Sequence, residues 1–187
     1  MESVPPRPIF YYDLGDPECY LVAERIMSAL PLVPEWEPVL ADPFRPINSD
    51  PDRKLIERCA SERGLQPMRW PAQWPPVTRD AMLAATYAKR IGRAVAFSLA
   101  ALRQAFAAGR DLGSLDTILI AGAACEMHPT ALLKGMRLRS ISEALDEATT
   151  RAVQTGVRSL PAIDVSGEVF VGDGGVERAA TALRGAA

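Results

Sequence analysis

The chain has little of what several function classes require. Its 187 residues include three cysteines, Cys19, Cys59 and Cys125, and one histidine, His128. Cysteines so few and scattered form no secreted disulfide framework, and a single histidine offers no zinc-ligand spacing, so no bound metal is expected. Aromatics make up 6% of positions, and 21 Lys and Arg against 23 Asp and Glu leave a net charge of −2. With no basic block and no aromatics interleaved with cations, neither nucleic acid nor an anionic membrane is an expected partner. The longest apolar run, Ile118 to Cys125, falls far short of the roughly 20 residues that span a bilayer. The opening MESVPPRPIF lacks the positive and apolar regions of a signal peptide, which places the chain, as an expectation, in the cytoplasm.

What is present suits a folded core. Hydrophobic residues occupy 48% of positions, and a chain of this length buries roughly 70% of its unfolded surface without staples. Ile9 to Tyr12, a short β-branched and aromatic run between Pro8 and the turn formers Asp13 to Pro17, predicts a buried first strand. Asp16 then opens a helix, with Pro17 at the first helical position, Glu18 at the positive dipole end, and an apolar stripe of Leu21, Val22, Ile26, Met27 and Leu30 running to Pro31. Trp36 to Leu40 reads as a second strand, placed at an edge because Pro38 donates to no ladder. A proline-rich stretch from Ala41 to Gln73 holds one helix, about Pro51 to Arg63, and an Ala-rich middle follows with helices at Thr78–Ile91, Ala94–Ala108 and Leu115–Ala124. Two more begin after His128-Pro129 and at Ser140, where Ser140 and Glu143 have capping-box spacing. Leu160–Val165 and Glu168–Val171, joined by Ser166-Gly167, predict a β-hairpin, and Val176–Leu183 a closing helix.

Strand, helix, strand at one end and strand, strand, helix at the other frame an all-helical middle. The economical solution is an α/β fold with one sheet built from both ends, residues 1–41 and 155–187, and a helical insertion, 42–154, lying over the sheet edge.

The segment from Tyr12 to Leu21 after the first strand resembles the DsbA-like branch of the thioredoxin superfamily. It is most similar to 2-hydroxychromene-2-carboxylate isomerases and kappa-class glutathione transferases. The likeness is carried further by Gly64-Leu65-Gln66-Pro67-Met68-Arg69-Trp70-Pro71, by the Ala-rich helix running into Phe106 to Arg110, by Gly156-Val157-Arg158-Ser159-Leu160-Pro161-Ala162 and by Val169-Phe170-Val171-Gly172. The resemblance implies a thioredoxin-like fold, β-α-β and β-β-α around the insertion, with a cis peptide at Leu160-Pro161 facing the start of the first helix. It also implies a glutathione-dependent isomerase or transferase acting on a small aromatic or hydrophobic acid, and a homodimer.

In redox members of the superfamily this helix opens with Cys-x-x-Cys, and in the isomerases and kappa transferases with serine at the first position. Here Asp16 stands at that position and Cys19 at the last. Asp16 reads either as a structural N-cap or as a carboxylate ionised at neutral pH and able to take a proton. Cys19, three residues into the helix, reads either as a buried small hydrophobe or as a thiol whose pKa the dipole lowers. The second version of Cys19 supports an alternative function, thiol–disulfide exchange through one cysteine, and a third alternative is a catalytically inactive binding module of the same fold. By resemblance, Asn48, Leu160, Pro161 and Asp173 are the candidate glutathione-binding residues, with Arg178 one turn beyond. Arg69 and Trp70 are expected to border the cleft, and His128 to cap or lie on the surface.

Overall fold

The computed structural model describes residues 7–44 and 50–185. A four-stranded sheet has the order β2-β1-β3-β4, from β1 (Ile9–Tyr12), β2 (Glu35–Pro38), β3 (Ala162–Val165) and β4 (Glu168–Val171). β1 pairs parallel with β2, Phe10 opposite Trp36, and antiparallel with β3, Phe10 opposite Ile163. The two central strands are the ones whose residues are almost all buried, as their mostly apolar text favours, and the one acid among them, Asp164, accepts from Gly167 N at 2.7 Å in the hairpin turn. Pro38 sits on the edge strand, where a missing N–H is tolerated. The β3–β4 turn falls at Ser166 and Gly167, with φ of 55° and 92°, the two positive values of the tight hairpin turn that matches strand twist.

The first helical segment starts where expected and then breaks. α1 (Pro17–Ala23) ends at Glu24, and α2 (Ile26–Ala29) follows Arg25. The side chains at the break are held on two sides, Glu24 by Arg103 and Arg25 by Asp173 and Glu177. The break re-phases the stripe. Leu21, Val22, Ile26 and Leu30 are buried, whereas Met27 is 41% exposed.

Between the two ends of the sheet come α3 (Arg53–Glu62), α4 (Arg79–Arg90), α5 (Ala94–Phe106), α6 (Leu115–Ala124), α7 (Pro129–Met136) and α8 (Arg139–Gln154), and α9 (Gly175–Gly185) closes the chain. α4 and α8 pack on β2, α5 on α1, and α9 on β3 and β4. α4 and α7 approach so closely that a Cβ on Gly135 would lie 2.4 Å from the Tyr87 ring. The capping-box expectation at Ser140 is corrected. α8 begins one residue earlier behind Leu138, while Ser140 Oγ accepts from Arg90 and Glu143 accepts from Arg139. Arg90 from α4 takes the serine hydroxyl and Arg139, one turn back on α8 itself, takes the glutamate, so neither side chain is left for the cap.

One hydrophobic core runs from the sheet into the helical middle, joining Phe10, Tyr12 and Trp36 to Phe97, Leu102, Phe106 and Leu145. Trp36 meets Phe10 edge-on at 5.0 Å and Tyr12 at 5.5 Å, the geometry the ring quadrupoles favour.

Candidate active site

The site grows from the turn between β1 and α1. Asp13, 1% exposed, accepts from Gly15 N at 2.9 Å, Ala41 N at 3.1 Å and Thr78 Oγ1 at 3.2 Å. One carboxylate thus ties the β1–α1 turn to the ends of two other segments. Asp16 follows in an extended conformation and caps α1 through a single oxygen: Oδ1 accepts from Glu18 N at 2.8 Å and Cys19 N at 3.2 Å. Oδ2 has no protein partner among the described residues.

Asp16 faces a cleft of about 300 Å³. Its floor is Asp16, Pro17 and the exposed Glu18. One wall is Ser159 and Leu160 with Val171 and Gly172, and the opposite wall is Pro51, Asp52, Leu55, Ile56 and Trp74. Leu160–Pro161 is a cis peptide, and the residue before it lines the same cleft as the head of α1. Thus the juxtaposition that the fold resemblance implies is present. The α3 wall is tied across to the β4–α9 junction: Arg63, at the end of α3, donates from Nη1 to Asp173 Oδ1 at 2.9 Å and pairs with its other oxygen, while Arg25 donates from Nη2 to Asp173 Oδ1 at 3.0 Å.

Electrostatics set the chemistry. Burial, with Glu18 nearby, pushes the Asp16 carboxyl up to about 7, overriding the two N–H bonds that favour its anion. The expectation of a carboxylate fully ionised at neutral pH is therefore corrected: near pH 7 Asp16 is divided between its protonated and ionised forms. Burial likewise raises Asp13 to about 6 against its three donors. Cys19 is 0% exposed, and burial together with the neighbouring Asp16 pushes its thiol well above the usual range. The lowered pKa expected from the helix dipole is overturned, because desolvation and a facing carboxylate outweigh a few backbone N–H groups.

The remaining candidates separate. Asp173 is held by its two arginines, which lower its pKa although partial burial acts the other way, and it is not among the cleft-lining residues. Asn48 lies outside the described residues. Arg178 donates to the Val171 carbonyl at 2.9 Å, and His128 caps α7 by accepting from Thr130 N. The aromatic in the cleft wall is Trp74 rather than Trp70, which lies one ring behind at 5.3 Å and donates to Glu57. Trp74 stands before Pro75-Pro76, and an aromatic beside a rigid proline pair was the signal available for it. Among the described residues no helix is long and apolar enough to cross a membrane, and no group of three or more His, Cys, Asp and Glu is placed to hold a metal ion.

A family model for the DSBA-like thioredoxin domain matches residues 9–184. No curated protein matches the chain. Among solved structures, a 2-hydroxychromene-2-carboxylate isomerase aligns over 97% of this chain and 96% of its own, at 16% identity and a TM-score of 0.82. A probable DsbA oxidoreductase from Streptomyces coelicolor aligns over 96% and 89%, at 18% identity and a TM-score of 0.74. The cytosolic disulfide reductase DsbM from Pseudomonas aeruginosa, solved also with GSH, aligns over 96% of each chain at a TM-score of 0.66 and 15% identity, or 14% with GSH. At such identities the likeness is one of fold, while the family match spans nearly the whole chain. The protein belongs to the DSBA-like thioredoxin domain family.

Proposed function

We propose that this protein is a thiol-assisted isomerase or transferase of small hydrophobic or aromatic molecules, with Asp16 as its proton-transfer group and glutathione, or a thiol like it, as cosubstrate. The observation that carries the reading is the position of Asp16. Its second oxygen has no protein partner among the described residues, it shares a cleft with Leu160, Leu55, Ile56 and Trp74, and the Cys19 thiol next to it is buried. Chemistry at this cleft rests on Asp16 and on what binds there. Disulfide exchange through Cys19 requires an exposed thiolate, which burial opposes on both counts.

A bound thiol supplies a nucleophile that adds to an electrophilic carbon and leaves again, with no net oxidation. Asp16 accepts the thiol proton as that bond forms and returns a proton to the product. In its neutral form it donates a hydrogen bond to a sulfur anion, which an ionised carboxylate would repel. A pKa of about 7 lets one group do both near neutral pH. The backbone of Leu160 holds the thiol against the head of α1, and Leu55, Ile56 and Trp74 exclude water from the reacting carbons. Asp173 is engaged by Arg25 and Arg63, so it steadies the wall rather than gripping a cosubstrate directly.

The test uses 2-hydroxychromene-2-carboxylate and glutathione, chosen after the compounds named for the structural neighbours. The expected kcat/KM rises with pH through about 7 as Asp16 loses its proton. Asp16→Asn, which keeps the cap, loses that limb and about 10²–10⁴ of the rate, the usual contribution of a general base. A wild-type rate in Asp16→Asn removes the reading.

A further inference from the structure

A second cavity, of about 410 Å³, lies beside the last turn of α1 and shares no lining residue with the Asp16 cleft. Its volume is that of a small-molecule site. The end of α1 forms one side, the stretch from Gly64 to Gln66 after α3 another, and the end of α5 the third. Tyr20 stands in this wall. It is 2% exposed, and its ring stacks on Phe106 at 5.7 Å, yet its hydroxyl has no hydrogen-bond partner among the described residues. Among those residues, the partnerless side-chain N and O atoms that are fully enclosed are Arg25 Nε and Trp36 Nε1. The Tyr20 hydroxyl is not one of them, so it reaches accessible space, and the space that Tyr20 lines is this cavity. A nearly buried phenol that opens on a cavity with no bond to the protein is a polar group left for a ligand.

We infer that this cavity is a second binding site and that it takes a small uncharged molecule carrying an amide and a short apolar group. The inference stands apart from the reading of the Asp16 cleft. The charged residues in the wall are Glu24 and Arg103, and they neutralise each other: Arg103 donates from Nε to Oε1 at 2.7 Å and from Nη2 to Oε2 at 2.8 Å. Arg63, just before Gly64, is held by Asp173. An ion of either sign therefore meets its own charge as closely as the opposite one and gives up hydration for little return. Burial, with Glu24 nearby, raises the Tyr20 pKa against the pull of Arg103, so at neutral pH the phenol is protonated and donates. The Gln66 and Gln104 carboxamides also line the cavity without a partner among the described residues, and each both gives and receives. An amide matches this set, with a carbonyl oxygen for the phenol and an N–H for a carboxamide oxygen. A sugar ring does not, because Phe106 already covers the aromatic face on which it would stack. Leu65 and Ala107 receive the apolar group.

N-acetyl-leucinamide, the anion N-acetyl-leucine and the cation leucinamide are close in shape and differ in charge. They are titrated at about pH 6, where the free amine is protonated, into isotope-labelled protein followed by heteronuclear NMR. The neutral probe is expected to shift the resonances of Gly64, Leu65 and the side-chain amides of Gln66 and Gln104, and to bind about tenfold or more tightly than either ion. Tyr20→Phe weakens it by about threefold to tenfold, the worth of one neutral hydrogen bond, and leaves the urea midpoint no lower, since the hydroxyl has no partner in the protein to lose. S-methylglutathione does not displace the probe, because the two cavities are separate. Equal binding of the three probes, unchanged affinity in Tyr20→Phe, shifts confined to residues of the Asp16 cleft, or no saturable shift overturns the assignment. A lowered urea midpoint in Tyr20→Phe would place the hydroxyl in a bond within the protein and overturns it as well.

Discussion

Whether a carboxyl group at a helix start is a cap or a reacting group depends on which oxygen is considered. In Asp16 the two roles coexist, since Oδ1 receives both N–H groups and Oδ2 remains for a ligand. The cap was readable from Asp16-Pro17-Glu18, because capping is local. The raised pKa was not, because it comes from burial by segments distant in sequence. Cys19 makes the same point from the other direction: three positions into a helix it has a dipole to lower its pKa, yet enclosure decides. Iodoacetamide is therefore expected to modify the half-buried Cys59 in the native protein and to leave Cys19 and Cys125, both buried, untouched until denaturant is added. Peptide mapping by mass spectrometry checks this, and rapid native labelling of Cys19 would return disulfide exchange to consideration.

Among the elements, α3 on one side and the segment before β3 with the end of β4 on the other carry the cleft walls, and Asp173, just after β4, joins them through Arg63. Sequence marked Asp173 as a ligand residue through its place after the last strand. Its partners Arg25 and Arg63, separated from it by 148 and 110 residues, were invisible to any local reading. Asp173→Asn is expected to lower stability by about 1–3 kcal/mol, less than a fully buried pair because its side chain is 23% exposed. Urea unfolding measures this. Because the native pKa of Asp173 is lowered, its contribution is present above the ordinary carboxylate pKa and disappears as pH falls through the native value, so wild type and variant converge in acid. KM should rise more than kcat falls, since the variant loosens a wall and leaves Asp16 in place. The element boundaries themselves were mostly legible, being set by proline, glycine and periodicity. The exceptions, the α1–α2 break and the start of α8, fall where arginine pairing overrides local preference.

Across the whole molecule, the sheet and the helical middle share one core, and a buried hydrogen bond between β1 and α5 joins them at its centre. Tyr12 Oη on β1 and Ser98 Oγ on α5 lie 2.6 Å apart. Tyr12→Phe or Ser98→Ala alone leaves a buried hydroxyl without its partner and should cost about 1–3 kcal/mol, while the double variant loses less than the sum of the two. A thermodynamic cycle from chemical denaturation reads the coupling directly. Additive losses would mean that the two hydroxyls are satisfied independently of one another.

Sequence alone determined the order of strands and helices, the cap on α1 and the edge position of Pro38, because propensity, capping and hydrophobic period act over a few residues. It also determined the likeness of fold, since the ordered segments from Tyr12 to Gly172 could be matched in series. Tertiary structure decided which side chains share the cleft, that Asp16 titrates near neutrality, that Cys19 is sealed and that Asp173 belongs to two arginines. Each of these depends on desolvation and charge pairing between residues far apart in the chain, quantities that do not exist until the chain has folded.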